Sequence, residues 1–188
     1  MLTYLTPDST IETFHLPDDI AFSEDETALL WDLRPDYPHK VIVFGKEHNT
    51  PRLVRSYGES YAFSGTVAHA TVIPEMFNKL IEYFSKRYGR EFNQFLGNWY
   101  RNGEDYIGFH SDDEQQLVDG TEIVGVSLGA TRDFVLKHKT TKESTVVSAD
   151  NNSVIVMGGA CQRTHKHSVP KRLRVRGYRI SLTLRAFV

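Results

Sequence analysis

Cysteine is almost missing from this chain: among 188 residues there is one, Cys161. No intramolecular disulfide can form, which points to a reducing, intracellular setting. No apolar run approaches the roughly 20 residues of a membrane-spanning helix, so no membrane partner is expected. The opening stretch, M-L-T-Y-L-T-P-D-S-T, lacks the basic start and apolar run of a secretory leader. The expectation is an intracellular protein of nucleus or cytoplasm, not a secreted one. There is no internal repeat and no low-complexity tract. Acidic side chains are absent from residues 151–188, which hold eight basic ones: Arg163, Lys166, Lys171, Arg172, Arg174, Arg176, Arg179 and Arg185. The net charge of −2 therefore hides an acidic body and a basic tail. Such asymmetry suits a basic face for a polyanion, unless the tail pairs in space with acidic elements elsewhere.

What is present suffices for one ordinary domain, with 40% hydrophobic and 12% aromatic residues. Ser23-Glu24-Asp25-Glu26 has capping-box spacing and starts a short helix that Pro35 and Pro38 end. Pro74 opens a second, amphipathic helix with Met76, Phe77, Leu80, Ile81 and Phe84 on one face, stopped by Gly89. Short strands follow, over Phe95–Tyr100, Glu122–Leu128, Phe134–His138, Ser144–Val147, Val154–Met157 and Tyr178–Phe187. Helices first and strands after predict a mainly β protein, a jelly roll or double-stranded β-helix core flanked by N-terminal helices.

Two strands have unusual faces. In Y-R-I-S-L-T-L-R, Ile180, Leu182 and Leu184 share one face, while Arg179, Ser181, Thr183 and Arg185 share the other. Asn98 and Tyr100 likewise share a face of F-L-G-N-W-Y. Such a face is either solvated or lines a polar interior that takes an anionic small molecule, which arginine's planar fork grips bidentately. His110 and Asp112 have H-x-D spacing. A second histidine, from His138, His165 or His167, would complete the two-histidine, one-carboxylate triad of non-haem Fe(II) oxygenases. A metal with open positions and an arginine for a distal carboxylate together suit 2-oxoglutarate.

The order N-W-Y, H-S-D, H-S-V-P and R-I-S-L-T-L-R resembles the AlkB family of Fe(II)/2-oxoglutarate dioxygenases, which repair N-alkylated bases in nucleic acid. V-F-G-K at 43–46, P-R at 51–52, Y-G-E at 57–59, Y-A-F-S-G at 61–65 and S-L-G-A-T-R-D-F-V-L-K-H-K at 127–139 agree. The resemblance runs from about Val41 to the C-terminus and is nearest the duplex-DNA-repairing branch. It implies one domain over 1–188: an N-terminal segment (1–40), recognition hairpins with a helix (41–90) and a jelly-roll core (91–188). It implies His110, Asp112 and His167 as iron ligands. Asn98, Tyr100, Arg179, Thr183 and Arg185 would contact 2-oxoglutarate. Phe44, Gly45 and Lys46 would form a finger against the DNA stack, and Tyr61 and Phe63 would face the extruded base. Asp113 and Glu114 would serve the base pocket. Arg52, Arg132, Lys137 and Lys139 would meet phosphates.

The chemistry so implied couples oxidative decarboxylation of 2-oxoglutarate by O2 to hydroxylation of the N-methyl carbon of 1-methyladenine or 3-methylcytosine, with loss of formaldehyde. A monomer acting on DNA with a flipped alkylated base is expected. The same chemistry on RNA or another substrate, or a catalytically silent nucleic-acid binder, is the alternative.

Overall fold

A computed structural model describes the chain except residues 64, 113, 115 and 119 and the side chains of residues 43, 62 and 63. The expected base-pocket residue Asp113 and the ring of Phe63 thus lie outside the described residues. The chain opens on a hairpin, β1 (Leu2–Thr6) and β2 (Ser9–His15), before α1 (Glu24–Asp32). Two recognition-sized hairpins follow: β3 (Lys40–Val43) with β4 (Lys46–Asn49), and, after β5 (Leu53–Gly58), β6 (Tyr61–Phe63) with β7 (Thr66–Ala68). A two-residue β8 (Ala70–Thr71) and a 3-10 turn at Glu75–Phe77 lead into α2 (Asn78–Tyr88). The rest is β9 (Gln94–Tyr100), β10 (Ile107–His110), β11 (Ile123–Gly129), β12 (Arg132–His138), β13 (Ser144–Ala149), β14 (Ser153–Gly159), the single turn α3 (Cys161–Thr164), β15 (His165–Val169) and β16 (Arg179–Arg185).

These strands build two main sheets. The major sheet runs β1-β2-β14-β11-β16-β9-β5-β8 and the minor one β10-β15-β12-β13. Mainly β architecture with flanking helices and a jelly-roll core is what the run of short strands predicted. The expected order of helices before strands is not found, because eight short strands precede α2. In β2, S-T-I-E-T-F-H alternates with a period of two: Ile11 is buried between the sheets, and Phe14 packs on the opposite, helix-side core. Strands β10 and β15 escape the apolar pattern because histidines and glycine stand where apolar residues would.

Both helices end as their sequences dictate. Ser23 caps α1 in a reciprocal box with Glu26, and Gly89 closes α2 at φ +65°. Lys79 of α2 reaches Glu26 of α1 at 2.6 Å. Their apolar faces, with Leu30, Leu80 and Phe84, pack on Phe95, Trp99, Val126, Ile180, Leu182 and Leu184 of the major sheet. Full burial of such side chains contributes about 1.5–3 kcal/mol each. Trp99 also donates its Nε1–H to Leu30 O at 3.0 Å. Its ring leaves no room over Gly97, where a Cβ would come within 2.4 Å of it. The opposite face of the same sheet looks into the space between the sheets. One end of that space is filled by Ile123, Leu136, Ile155, Met157 and Cys161, and the other is open.

Candidate metal and dicarboxylate site

The open end is a cavity of about 1150 Å³. Strand pairing places His110 opposite His167 on β10 and β15, with ring centroids 4.2 Å apart. Asp112 follows β10 by two residues. His110, Asp112 and His167 each offer a ligand atom, and these atoms lie within 4.8 Å of one another. The Nδ1 of His110 faces Gly108 O at 2.9 Å, so the proton sits on Nδ1 and Nε2 keeps its lone pair. Burial pushes the His167 imidazole down to about 3, helped by neighbouring His110. Burial lowers His110 as well. Burial opposes ionisation of Asp112, but the Arg185 guanidinium that hydrogen-bonds it outweighs burial and holds the carboxyl well below the usual range. Two neutral imidazoles and one carboxylate are the protonation states a divalent metal needs. Asp112 Oδ2 accepts from Arg185 Nη2 at 2.9 Å, while its buried Oδ1 has no hydrogen-bond partner.

The rest of the cavity is lined by the polar face of the major sheet. Arg179, Ser181, Thr183 and Arg185 of β16 and Asn98 and Tyr100 of β9 all line it. Arg179 is 2% exposed. Its Nη2 donates to Ser127 Oγ at 2.8 Å, whereas Nε and Nη1 are buried without a partner. No carboxylate lies within ion-pair distance of it among the described residues. The ring of Tyr100, its register partner, lies 5.1 Å from the guanidinium carbon. A buried, half-satisfied guanidinium is costly unless an anion completes it, and a carboxylate of a bound dicarboxylate would. Arg185 donates to Gln94 and Asp112, and stands 4.6 Å over the Tyr61 ring. The donor set thus fits both Fe(II) and 2-oxoglutarate.

The expected substrate residues fall in two places, an exposed hairpin turn and the cavity wall. Phe44 and Gly45 form the two-residue turn of the β3–β4 hairpin at φ +48° and +73°, and Phe44 is fully exposed rather than part of a core strand. Lys46 is exposed beside them. Tyr61 is buried on the cavity wall and donates its hydroxyl to Glu114, whose carboxyl is raised by burial.

Two arginines expected at phosphates are instead interior. Arg52 is buried and gives its Nε–H to Asn98 Oδ1 at 2.6 Å. Arg132 is buried and clamps three carbonyls, those of Asn102, Asp105 and Pro170. Neither arginine's local sequence distinguishes burial from exposure; only the partners decide. Lys139 donates to Gln162 O, and Lys137 lies 5.6 Å over the Phe109 ring. Sequence reasoning passed over Ser127 and Gln94, the partners of the two cavity arginines. The signal was available in V-S-L, a single polar residue on the inward face of an apolar strand, and in Q-F-L, where Gln94 extends the face of Asn98 and Tyr100.

The sequence matches the 2OG-Fe(II) oxygenase superfamily over residues 36–185. The chain belongs to that superfamily. It is 36% identical over 161 residues to DNA oxidative demethylase ALKBH2 of Mus musculus, covering 78% of this chain and 66% of the relative. With Alpha-ketoglutarate-dependent dioxygenase alkB homolog 3 of Homo sapiens it shares 33% over 175 residues, 84% of this chain and 60% of that one. These similarities make it a member of the AlkB family. The chain spans from 56% to 66% of the length of the ALKBH2 relatives from mouse, cattle and human. The solved structure of OsALKBH1 superposes with a TM-score of 0.64 at 17% identity, over 98% of this chain and 99% of that one, which supports the fold. The family description carries Fe(II) and 2-oxoglutarate, and the triad and Arg179 are the residues that fit them.

Proposed function

We propose that the protein is an Fe(II)/2-oxoglutarate-dependent dioxygenase that demethylates 1-methyladenine and 3-methylcytosine in DNA. One observation carries the reading. A triad of neutral imidazoles and an ionised carboxylate shares a cavity with a buried arginine that lacks an anion. Similarity to the mouse protein named DNA oxidative demethylase ALKBH2 supports the substrate. Bound Fe(II) and 2-oxoglutarate would supply oxidising power from O2, converting the methyl carbon to a hydroxymethyl that leaves as formaldehyde, with succinate and carbon dioxide as co-products.

The chain's own residues do the rest. His110, Asp112 and His167 would hold the metal. Arg179 takes the far carboxylate of the dicarboxylate, flanked by Tyr100. Asn98, Thr183 and Arg185, which line the same cavity, would contact the rest of the dicarboxylate. Arg185 also keeps Asp112 ionised and in place. Tyr61 and Glu114 wall the base pocket, whose acid suits the cationic rings of these lesions. Phe44, presented on a tight turn with Gly45 and Lys46, wedges into the stack that the extruded base leaves, offsetting the cost of unstacking. The chain acts as a single-domain monomer inside the cell, where its nucleic acid is. No helix of the described residues is long and apolar enough to cross a membrane.

The test is turnover on duplex, single-stranded and RNA oligonucleotides carrying one 1-methyladenine, following succinate, formaldehyde and the methyl mass together, with His110→Ala as control. Coupled release on the duplex, abolished in the variant, is the expected result. Succinate with demethylation of RNA alone would transfer the chemistry to RNA. No succinate with any nucleic acid would sink the reading.

A further inference from the structure

The loop that carries Asp112 is tied to the segment that leads into His167 by two hydrogen bonds. Asp112 N–H donates to Gln162 Oε1 at 2.9 Å, and Ser111 Oγ donates to His165 O at 2.9 Å. Gln162 lies on α3, fifty residues from Asp112 in sequence and five before His167. Its own geometry is fixed from two further sides. The amide Nε2 points at Met157 Sδ at 3.3 Å, and the backbone carbonyl accepts from Lys139 Nζ at 2.8 Å. Because the partner at Asp112 is an N–H, the amide must present its oxygen there and its NH2 to the sulfur, so the flip is determined. Met157 packs in the apolar end of the barrel with Cys161, the neighbour of Gln162.

We propose that Gln162 is a positioning residue for the metal, latching the Asp112 loop to the strand of His167 so that the triad is preformed before metal binds. The proposal rests on the metal reading of the triad, but not on any substrate. Asp112 sets Oδ1 3.6 Å from His110 Nε2, while Oδ2, 3.9 Å from His167 Nε2, is held by Arg185. Its side chain is thus fixed at one oxygen, and its backbone only by the Gln162 contact among the hydrogen bonds of the described residues. Without the latch the loop would have to be ordered when the metal arrives, and part of the binding free energy would be spent on that ordering. Partners one step removed from a metal typically alter its affinity 10–100-fold.

The experiment is Mn(II) titration of the anaerobic full chain, with no 2-oxoglutarate and no nucleic acid, alongside thermal unfolding of the metal-free protein. Gln162→Leu keeps the volume and removes the acceptor; Gln162→Glu keeps an acceptor oxygen. The expected result is an Mn(II) dissociation constant raised at least about tenfold in the Leu variant, restored to near wild type in the Glu variant, with unchanged metal-free Tm in both. Wild-type affinity in Gln162→Leu overturns the proposal, as does failure of Gln162→Glu to restore it. A Leu variant whose affinity falls only together with its Tm assigns Gln162 a structural role and overturns it too. A wild-type chain that binds no Mn(II) refutes the metal reading itself.

Discussion

On β16, Ile180, Leu182 and Leu184 point into the helix-covered core and are fully buried, while Arg179, Ser181, Thr183 and Arg185 look into the cavity. The same split continues on β9, with Phe95 and Trp99 on one side and Asn98 and Tyr100 on the other. One face is made of groups whose burial stabilises the fold. The other holds Arg179, a guanidinium whose burial costs free energy until a ligand completes it. Because side chains alternate with a period of two, the apolar face sets the register, and the polar face is aimed as a consequence. Stability and ligand binding thus reside in the same seven residues without sharing a side chain.

That division is open to direct attack. The largest effect on folding is expected at Leu182→Ala: a loss of about 2–5 kcal/mol in chemical denaturation, with the KM for 2-oxoglutarate unchanged. If the KM rose in step with the lost stability, the two faces would not be separable. Arg179→Met should do the reverse. The KM for 2-oxoglutarate should rise about a hundredfold, close to 2.7 kcal/mol, since a charge-assisted carboxylate contact is lost. Folding stability should hold or improve, because an uncompensated buried cation has been replaced by an apolar chain of similar length. A destabilised Arg179→Met would mean that the arginine serves the fold.

Much of this was legible beforehand, for a physical reason. The alternation in R-I-S-L-T-L-R reports the two faces directly, and capping residues report the helices. The site was harder. His-x-Asp leaves the second histidine open, and only the pairing of β10 with β15 brings His167, rather than His138 or His165, opposite His110. Arginines were the weakest point. Arg52 and Arg132 look like surface charges in sequence, yet both are buried against Asn98 and loop carbonyls. Partners so distant along the chain leave no local pattern, which is also why Gln162 went unnoticed. The N-terminal hairpin was missed because its strands mix polar and apolar residues.

Smaller effects sharpen the contrast elsewhere. Phe44 is fully exposed and sits at a positive φ that glycine would adopt without strain. Phe44→Gly should leave stability unchanged or raise it by up to about 1 kcal/mol, while activity on duplex DNA falls about tenfold and single-strand activity persists. An unchanged duplex rate would remove the wedge. At the apolar end of the barrel, burial pushes the Cys161 thiol up to about 12, with the charge of Asp112 adding to it. The thiol should therefore remain unmodified by a thiol reagent at pH 8 in the native protein and react only on unfolding. Rapid native labelling would show that this end of the barrel is open as well.

The central claim is that the metal triad and the arginine-lined face act on one ligand in one cavity. Calorimetric titration of 2-oxoglutarate into the anaerobic chain, with and without Mn(II), tests it most directly. If the 2-keto acid end chelates the metal while Arg179 holds the far carboxylate, metal should tighten 2-oxoglutarate at least about tenfold, and 2-oxoglutarate should tighten the metal by the same factor. Equal 2-oxoglutarate affinity with and without metal would contradict the account, because the two halves of the cavity would then be binding independently.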